Sequence, residues 1–425
     1  MEELARESIS LLASASNKPP LDSGPRLGSM GAVFIMLKSA LGAGLLNFPW
    51  AFDKAGGIRS AVTVELISLV FLVSGLIILG YSSSVSGRCT YQAVVKEVCG
   101  AAIGQLCELC FVFNLFMIGV AFLVIVNDQL EKVSGSLYEV VTGLPGSEMP
   151  YRWYTDRHLA LMLLCLFLIL PMSIPKEIRV QKYIVLGTFA ATYLTIAIIV
   201  KYTGSWASMF SAIPTICFGF QFQCHEASIA IYSSMENQKL SHWVLISVLS
   251  MIFCLIIYSL TVYGYLTFGK DVKADILMSY AGHDVLMVVA RLLFGVSIIT
   301  VYPIIVLLSS VMQEPLMRWR YRQTGAVSEA FERSSRYLLS VLWITVTLLI
   351  AMYVPDISKV ISVIGGISAF FIFIFPLCLM FAMQSEPVSF KTVVLTTWGA
   401  VTLVCGAFIF GQSTTIAIMQ LLHNI

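Results

Sequence analysis

Apolar runs long enough to cross a bilayer recur along the whole chain and leave little length for anything else. A membrane span needs about 20 such residues. Eleven stretches qualify: 30–52, 58–84, 101–127, 158–174, 183–203, 211–233, 243–268, 284–311, 337–354, 357–383 and 391–412. Only 12% of the 425 residues are charged, against about 25% in a soluble domain. The polar gaps are too short for a second soluble domain, so 29–412 reads as one all-α polytopic membrane unit. Residues 1–28 lack the apolar core and cleavage site of a signal peptide and read as a disordered tail, and 413–425 read as a short C-terminal tail. A net charge of +2 gives no reason to expect nucleic acid. The expected surrounding is lipid bilayer, and nothing in the sequence specifies an oligomeric state.

Loop lysines and arginines set the orientation. Most of them fall in the tail and in 85–100, 174–182, 234–242, 312–336 and 384–391. That places the N-terminus in the cytoplasm and the C-terminus outside. Arg318, Arg320 and Arg322 read as topology determinants, with contact to anionic lipid as the alternative. The Cys107-x-x-Cys110 pair lies inside a span with no second pair near, so helix packing explains it better than zinc.

Two spans carry interruptions. The first, "FIMLKSALGAGLLNFPWAF" (34–52), holds Lys38, then Gly42-Ala43-Gly44, then Asn47 and Pro49. Glycine frees the backbone to unwind, and Pro49 removes the helical bond to the Leu45 carbonyl. Unwound backbone must face protein or a water-filled cavity, because lipid offers its amides and carbonyls no partners. A small-residue packing face is the simpler alternative. The sixth span, "SAIPTICFGFQFQCHEASIAIY" (211–232), repeats the pattern with Pro214, Gly219 and a polar cluster of Gln221, Gln223, Cys224, His225 and Glu226. Two interrupted helices five spans apart mark an inverted-repeat architecture, with repeats over about 30–203 and 211–383 and an added eleventh helix. Half-helix N-termini at such breaks favour an anion and the opposing C-termini a cation. An α-amino acid presents both charges. Gly42, Ala43, Gly44 and Leu45 would receive its carboxylate, and Phe218, Gly219, Phe220 and Gln221 its ammonium and part of its side chain.

In the eighth span Ser297 and Thr300 share a helical face, and Pro303 leaves the Ile299 carbonyl without its usual partner. These oxygens suit a small alkali cation. The alternative is that the hydroxyls bond back to their own helix.

"KSALGAGLLNFPWAF", the 211–227 text, "TVYPIIV" and "IGGISAFFIFIFP" together resemble the sodium-coupled neutral amino acid transporters of the amino acid/auxin permease superfamily, from about residue 30 to 412. The resemblance implies eleven transmembrane helices in a LeuT-like fold of five plus five inverted repeats, with helices 1 and 6 broken. It implies uptake of glutamine and other neutral amino acids, no organic cofactor, and Na+ coupling through spans 1 and 8, with sodium near Ser297 and Thr300. Two departures stand out. Lys38 occupies the place of an asparagine associated with the sodium site in relatives. Its ammonium would replace or repel the ion, or titrate and give H+ coupling, with Glu65 and Glu226 as candidate counter-ions. A static Lys38–Glu65 pair is the alternative. The second departure is a repeated Phe-Gln pair within 220–223, which turns the following helix unless the unwound segment absorbs it.

His225 ordinarily titrates near neutral pH and is a candidate pH sensor, with a neutral ring bonded to backbone as the alternative. Asn114 and Glu108 read as helix-bridging, Arg291 as paired or snorkelling with a gating role as the minority reading, and Gly365-Gly366 as close packing. Glu7 to Leu12 fits an acidic-dileucine sorting pattern, which keeps an endosomal or lysosomal membrane beside the plasma membrane. No nucleophile–base set or phosphate loop supports an enzyme. The leading expectation is a secondary active transporter of neutral amino acids. The competitors are a proton-linked or uncoupled lysosomal exporter and an amino acid sensor.

Overall fold

A backbone in hydrocarbon must satisfy its own amides and carbonyls, and a helix does so within one segment. The computed structural model describes residues 28–40, 44–54, 58–142, 156–173, 180–201, 224–281, 284–308, 313–324, 328–354, 360, 364–368, 370–382 and 390–422. Their regular structure is helical. The helices are α1 (Ser29–Ala40), α2 (Gly44–Lys54), α3 (Ile58–Ser86), α4 (Tyr91–Cys99), α5 (Ala101–Thr142), α6 (Arg157–Leu164), α7 (Val180–Lys201) and α8 (His225–Ser234). They continue with α9 (Leu240–Leu260), α10 (Val262–Phe268), α11 (Val285–Leu308), α12 (Gln313–Thr324), α13 (Glu329–Tyr353), α14 (Phe375–Ala382) and α15 (Phe390–Leu422).

Among the described residues, six helical stretches are long and apolar enough to cross a membrane: Ser68–Ser86, Ala101–Ser136, Leu240–Asp271, Val285–Pro303, Ala330–Tyr353 and Ile364–Phe381. Shorter apolar helices cover Arg157–Ser173, Thr192–Lys201 and Thr396–Gln412. Each of the nine overlaps one expected span, and several run past its bounds, as Ala101–Ser136 and Ala330–Tyr353 do. The first and sixth expected spans contribute shorter pieces, α1 with α2 and α8. Leu109, Phe167, Leu338, Val404 and Phe408 are exposed, an outer surface that suits hydrocarbon rather than water.

The structure departs from the sequence expectation in five places, one of them α13, which begins at Glu329 where the span was expected to start at 337. Helix α5 continues past 127 to Thr142, and α15 continues to Leu422 through what reads as a tail. Helices α4 and α12 occupy segments that read as loops. Their 9 and 12 residues are too few to span and give no long apolar run. The Thr90 side chain accepts from the Ala93 amide to start α4, and Gly100, at φ 91°, ends it in a conformation open to glycine.

Two π-helical turns, Cys165–Ile169 and Phe370–Ile374, each lie just ahead of a proline, Pro171 and Pro376. A proline ring displaces the carbonyl four residues back, and a widened turn absorbs the displacement. In the second turn the Tyr91 hydroxyl donates to the Phe371 carbonyl at 3.3 Å.

The helices sort into two groups by what they pack against. In the first, α1 packs on α8 and α9, and α3 packs on the same two. In the second, α5 packs on α6, α11 and α13, while the last turn of the fourth span, Leu170–Ser173, touches α11 and α13. Helix α7 packs mainly on α11 and also reaches α1 and α9, and α14 packs on α3, α4 and α15. The Tyr302 hydroxyl meets Thr347 Oγ1 at 2.6 Å and ties α11 to α13. Tyr302→Phe removes one buried hydrogen bond and is expected to lower stability by about 1 kcal/mol, read as a lower melting temperature of the purified protein.

Glycines on α3 let the first group close. A Cβ on Gly80 would lie 2.3 Å from both Cδ1 and Nε1 of Trp243, whose indole N–H donates to the Leu76 carbonyl at 2.8 Å. A Cβ on Gly75 would lie 3.0 Å from His225 Nε2 and from the Ile372 carbonyl oxygen.

Candidate functional site

The first-span motif divides between two helices with different anchors. Helix α1 ends at Ala40 against α7, α8 and α9. Helix α2 starts at Gly44 and packs on α10. The Phe48 ring meets Tyr258 at 4.8 Å, Phe52 stacks on Tyr265 at 6.1 Å, and Asn47 Nδ2 donates to the Ala274 carbonyl at 2.9 Å. Leu45 is buried and Gly44 half-buried. Gly42 and Ala43 lie outside the described residues, as do Phe218, Gly219, Phe220, Gln221 and the rest of the Phe-Gln repeat. Lys38, Glu65 and Glu226 have helical backbones in α1, α3 and α8, and their side chains lie outside the described set.

His225 is fully buried at the start of α8. Its Nε2 lies 3.0 Å from the Leu72 carbonyl, so that nitrogen carries a hydrogen and donates it. Ser228 Oγ donates to the His225 carbonyl at 2.6 Å. The ring therefore fixes α8 to α3 in the notch left by Gly75. This is the backbone-bonded arrangement weighed from the sequence.

On α11, Thr300 Oγ1 donates to the Ser297 carbonyl at 2.8 Å, and Ser297 itself is buried. A hydroxyl that donates its hydrogen still presents two lone pairs. The back-bond thus orients the Thr300 oxygen and leaves it able to accept a cation.

A third polar cluster was not foreseen as a unit. It joins α2, α5 and α11 to the Val272–Ala281 segment between α10 and α11. Arg291 is fully buried, and its Nη2 donates to the carbonyls of Leu277 (2.9 Å), Tyr280 (2.9 Å) and Ala281 (3.3 Å). Asp275 is buried in the same segment and accepts from the Leu277 amide at 2.9 Å and from Gln129 Nε2 at 2.6 Å. Burial pushes the Asp275 carboxyl up to about 7. The Leu277 amide, the Arg291 charge and Gln129 offset part of that rise. Lys201 at the end of α7 pairs with Asp284 at 2.5 Å. Sequence reading marked Arg291 alone here. Gln129 and Asp275 looked like loop residues, and the one available signal was an aspartate placed to cap the Ile276–Met278 turn.

Comparison with known proteins gives this geometry its context. Residues 26–419 match the family described as "Transmembrane amino acid transporter protein". A Xenopus tropicalis protein named "Putative sodium-coupled neutral amino acid transporter 8" is 59% identical, covering 99% of each chain. Human "Solute carrier family 38 member 8" is 53% identical over 95% of this chain and 96% of its own. Danio rerio "Sodium-coupled neutral amino acid transporter 7" is 41% identical over 96% of this chain and 92% of its own. Among solved structures, MhsT in complex with L-phenylalanine superposes with a TM-score of 0.54 at 13% identity, over 93% of this chain and 99% of that one. That likeness is one of fold, and it agrees with the LeuT-like fold that the family resemblance implied. The chain belongs to the transmembrane amino acid transporter family and is a multi-pass membrane transporter rather than an enzyme.

Proposed function

We propose that this chain carries a neutral L-amino acid, glutamine among its substrates, by sodium-coupled symport with alternating access. The carrying observation is that the two helices of the first span, α1 and α2, are held by different partners around the glycine motif. Such a pair can leave carbonyls and amides free between them for a zwitterion. Gly42, Ala43, Gly44 and Leu45 take the substrate carboxylate, and Phe218 to Gln221 take the ammonium and side chain. Ser297 and Thr300 take sodium, with Lys38 beside that site. The names of the relatives support the ion and the substrate class.

The packing supports two inverted repeats. Shifting the span number by five carries α1 on α9 into α8 on α3, and α5 on α13 into α11 on the fourth span, and both partners are present. Eleven crossings with a cytoplasmic N-terminus, in the plasma membrane, complete the reading. The first group then rocks against the second around the midplane site.

The test is initial uptake of radiolabelled glutamine at pH 7.4 in cells with the protein at the surface. Replacing external sodium with choline abolishes uptake if the reading holds. Ser297→Ala combined with Thr300→Ala raises the sodium concentration for half-maximal uptake by roughly tenfold, the equivalent of about 1.4 kcal/mol. Uptake that survives in choline and follows a proton gradient assigns the coupling to Lys38 and favours the proton-linked exporter.

A further inference from the structure

The Val272–Ala281 segment packs on α2, where the Ala274 carbonyl accepts from Asn47, three residues beyond Gly44 of the glycine motif. It is held there by three neighbours: Asn47 of α2 through the Ala274 carbonyl, Gln129 of α5 through Asp275, and Arg291 of α11 through three carbonyls. Two of these contacts keep their chemistry at any physiological pH. An amide and a guanidinium do not titrate there.

The Asp275–Gln129 contact differs. Its 2.6 Å separation is short for an amide donating to a carboxylate and ordinary for a protonated carboxyl donating to oxygen. The Gln129 Oε1 atom is buried with no hydrogen-bond partner among the described residues. Turning that amide over brings Oε1 to Asp275, where a protonated carboxyl donates to it. The site is therefore complete for the neutral acid and incomplete for the carboxylate.

We propose that Asp275 is a proton-held latch on the outer side: protonated, it shares its hydrogen with the Gln129 amide and keeps the Val272–Ala281 segment seated on α2 and α5, and ionised, it lets the segment lift and open the site outward. The inference rests on the transporter reading and its cytoplasmic N-terminus.

Charged residues of the packed elements are Asp53 and Lys54 on α2, and Glu108, Asp128, Glu131, Lys132 and Glu139 on α5. Arg291 lies on α11, and the segment and its flanks carry Lys270, Asp271, Lys273 and Asp284 paired with Lys201. Among the described residues, Arg291 is the charged group acting on Asp275 itself. Burial pushes the Tyr280 hydroxyl up from its ordinary value.

The sign follows from burial. The seated carboxyl titrates at about 7 against an ordinary 3.8, so the seated state binds the proton more tightly than a lifted, hydrated one. Seating is strongest below the ordinary value and weakens as pH rises to about 7. Lifting releases a proton, and external acid opposes it.

The test uses a thiol placed under the segment. Leu277 is fully buried, and only its carbonyl, which the substitution retains, bonds Arg291. Leu277→Cys is labelled on intact cells with a membrane-impermeant maleimide at external pH 7.4 and 5.5. Its rate is divided by that of Lys273→Cys, an exposed position of the same segment, to remove the reagent's own pH dependence. The normalised rate is expected to fall about tenfold at pH 5.5. Adding Asp275→Asn fixes it at the low value at both pH values, Asp275→Glu restores the response, and His283→Gln and His158→Gln leave it in place. Ala274→Cys serves as a second reporter where Leu277→Cys does not reach the surface. Equal normalised rates at the two pH values overturn the latch, as does a fall that persists with Asp275→Asn. Labelling is read without transport. A switch in labelling without glutamine uptake would sink the transport reading and leave the latch standing.

Discussion

Gly80→Ala is expected to remove most of the folded protein, by a cost of about 3 kcal/mol or more. The added carbon falls 2.3 Å from two atoms of the Trp243 ring, where nothing can be shared. Trp243 is fully buried, and its indole N–H is fixed to the Leu76 carbonyl on the same helix as the glycine. Moving the ring breaks that bond, and moving α3 disturbs its contacts with α8, α9 and α14 together. The measurement is the monodisperse fraction after detergent extraction, with its melting temperature. The double variant Gly80→Ala with Trp243→Leu should recover part of the loss, because the smaller side chain vacates the space. Gly295→Ala on α11 is the control. Nothing lies within 4 Å of its added carbon, so it should behave as the parent. Equal losses at Gly80 and Gly295 would show that the α3–α9 contact is not as close as described.

Arg291→Met carries the second large effect, a loss of about 3–5 kcal/mol. The guanidinium binds three carbonyls of one segment, and methionine fills similar volume while leaving the buried Leu277 and Tyr280 carbonyls without that donor. Arg291→Lys should rescue only part of this. A lysine ammonium keeps the charge but lacks the rigid fork that serves several carbonyls. An arginine that merely reached for the membrane surface would tolerate methionine. A melting temperature unchanged in Arg291→Met would therefore return Arg291 to that simpler role.

Where helices run was legible wherever about twenty apolar residues stood together. It was less legible where function or packing imposed polarity. The end of α5 carries Asp128, Gln129, Glu131 and Lys132, which read as a loop, yet the helix continues and Gln129 meets Asp275 across a sequence separation of 146. A buried aspartate looks like a turn residue until the chain that covers it is known. Gly80 shows the same limit, since a glycine inside an apolar run names no partner. Local geometry read better. The alternative that the Ser297 and Thr300 hydroxyls bond back to their own helix is met at Thr300, which donates to the Ser297 carbonyl. The alternative of a backbone-bonded His225 matched its contact with Leu72. Both depend on a few residues along one helix or on a general rule about buried polar groups.

In sodium-coupled symport, substrate and sodium cross together. Purified protein in sealed vesicles, with labelled sodium outside and unlabelled glutamine added, tests it most directly. The expected result is sodium entry that depends on glutamine and is lost when Ser297 and Thr300 are both replaced by alanine. Glutamine entry with no accompanying sodium would contradict it.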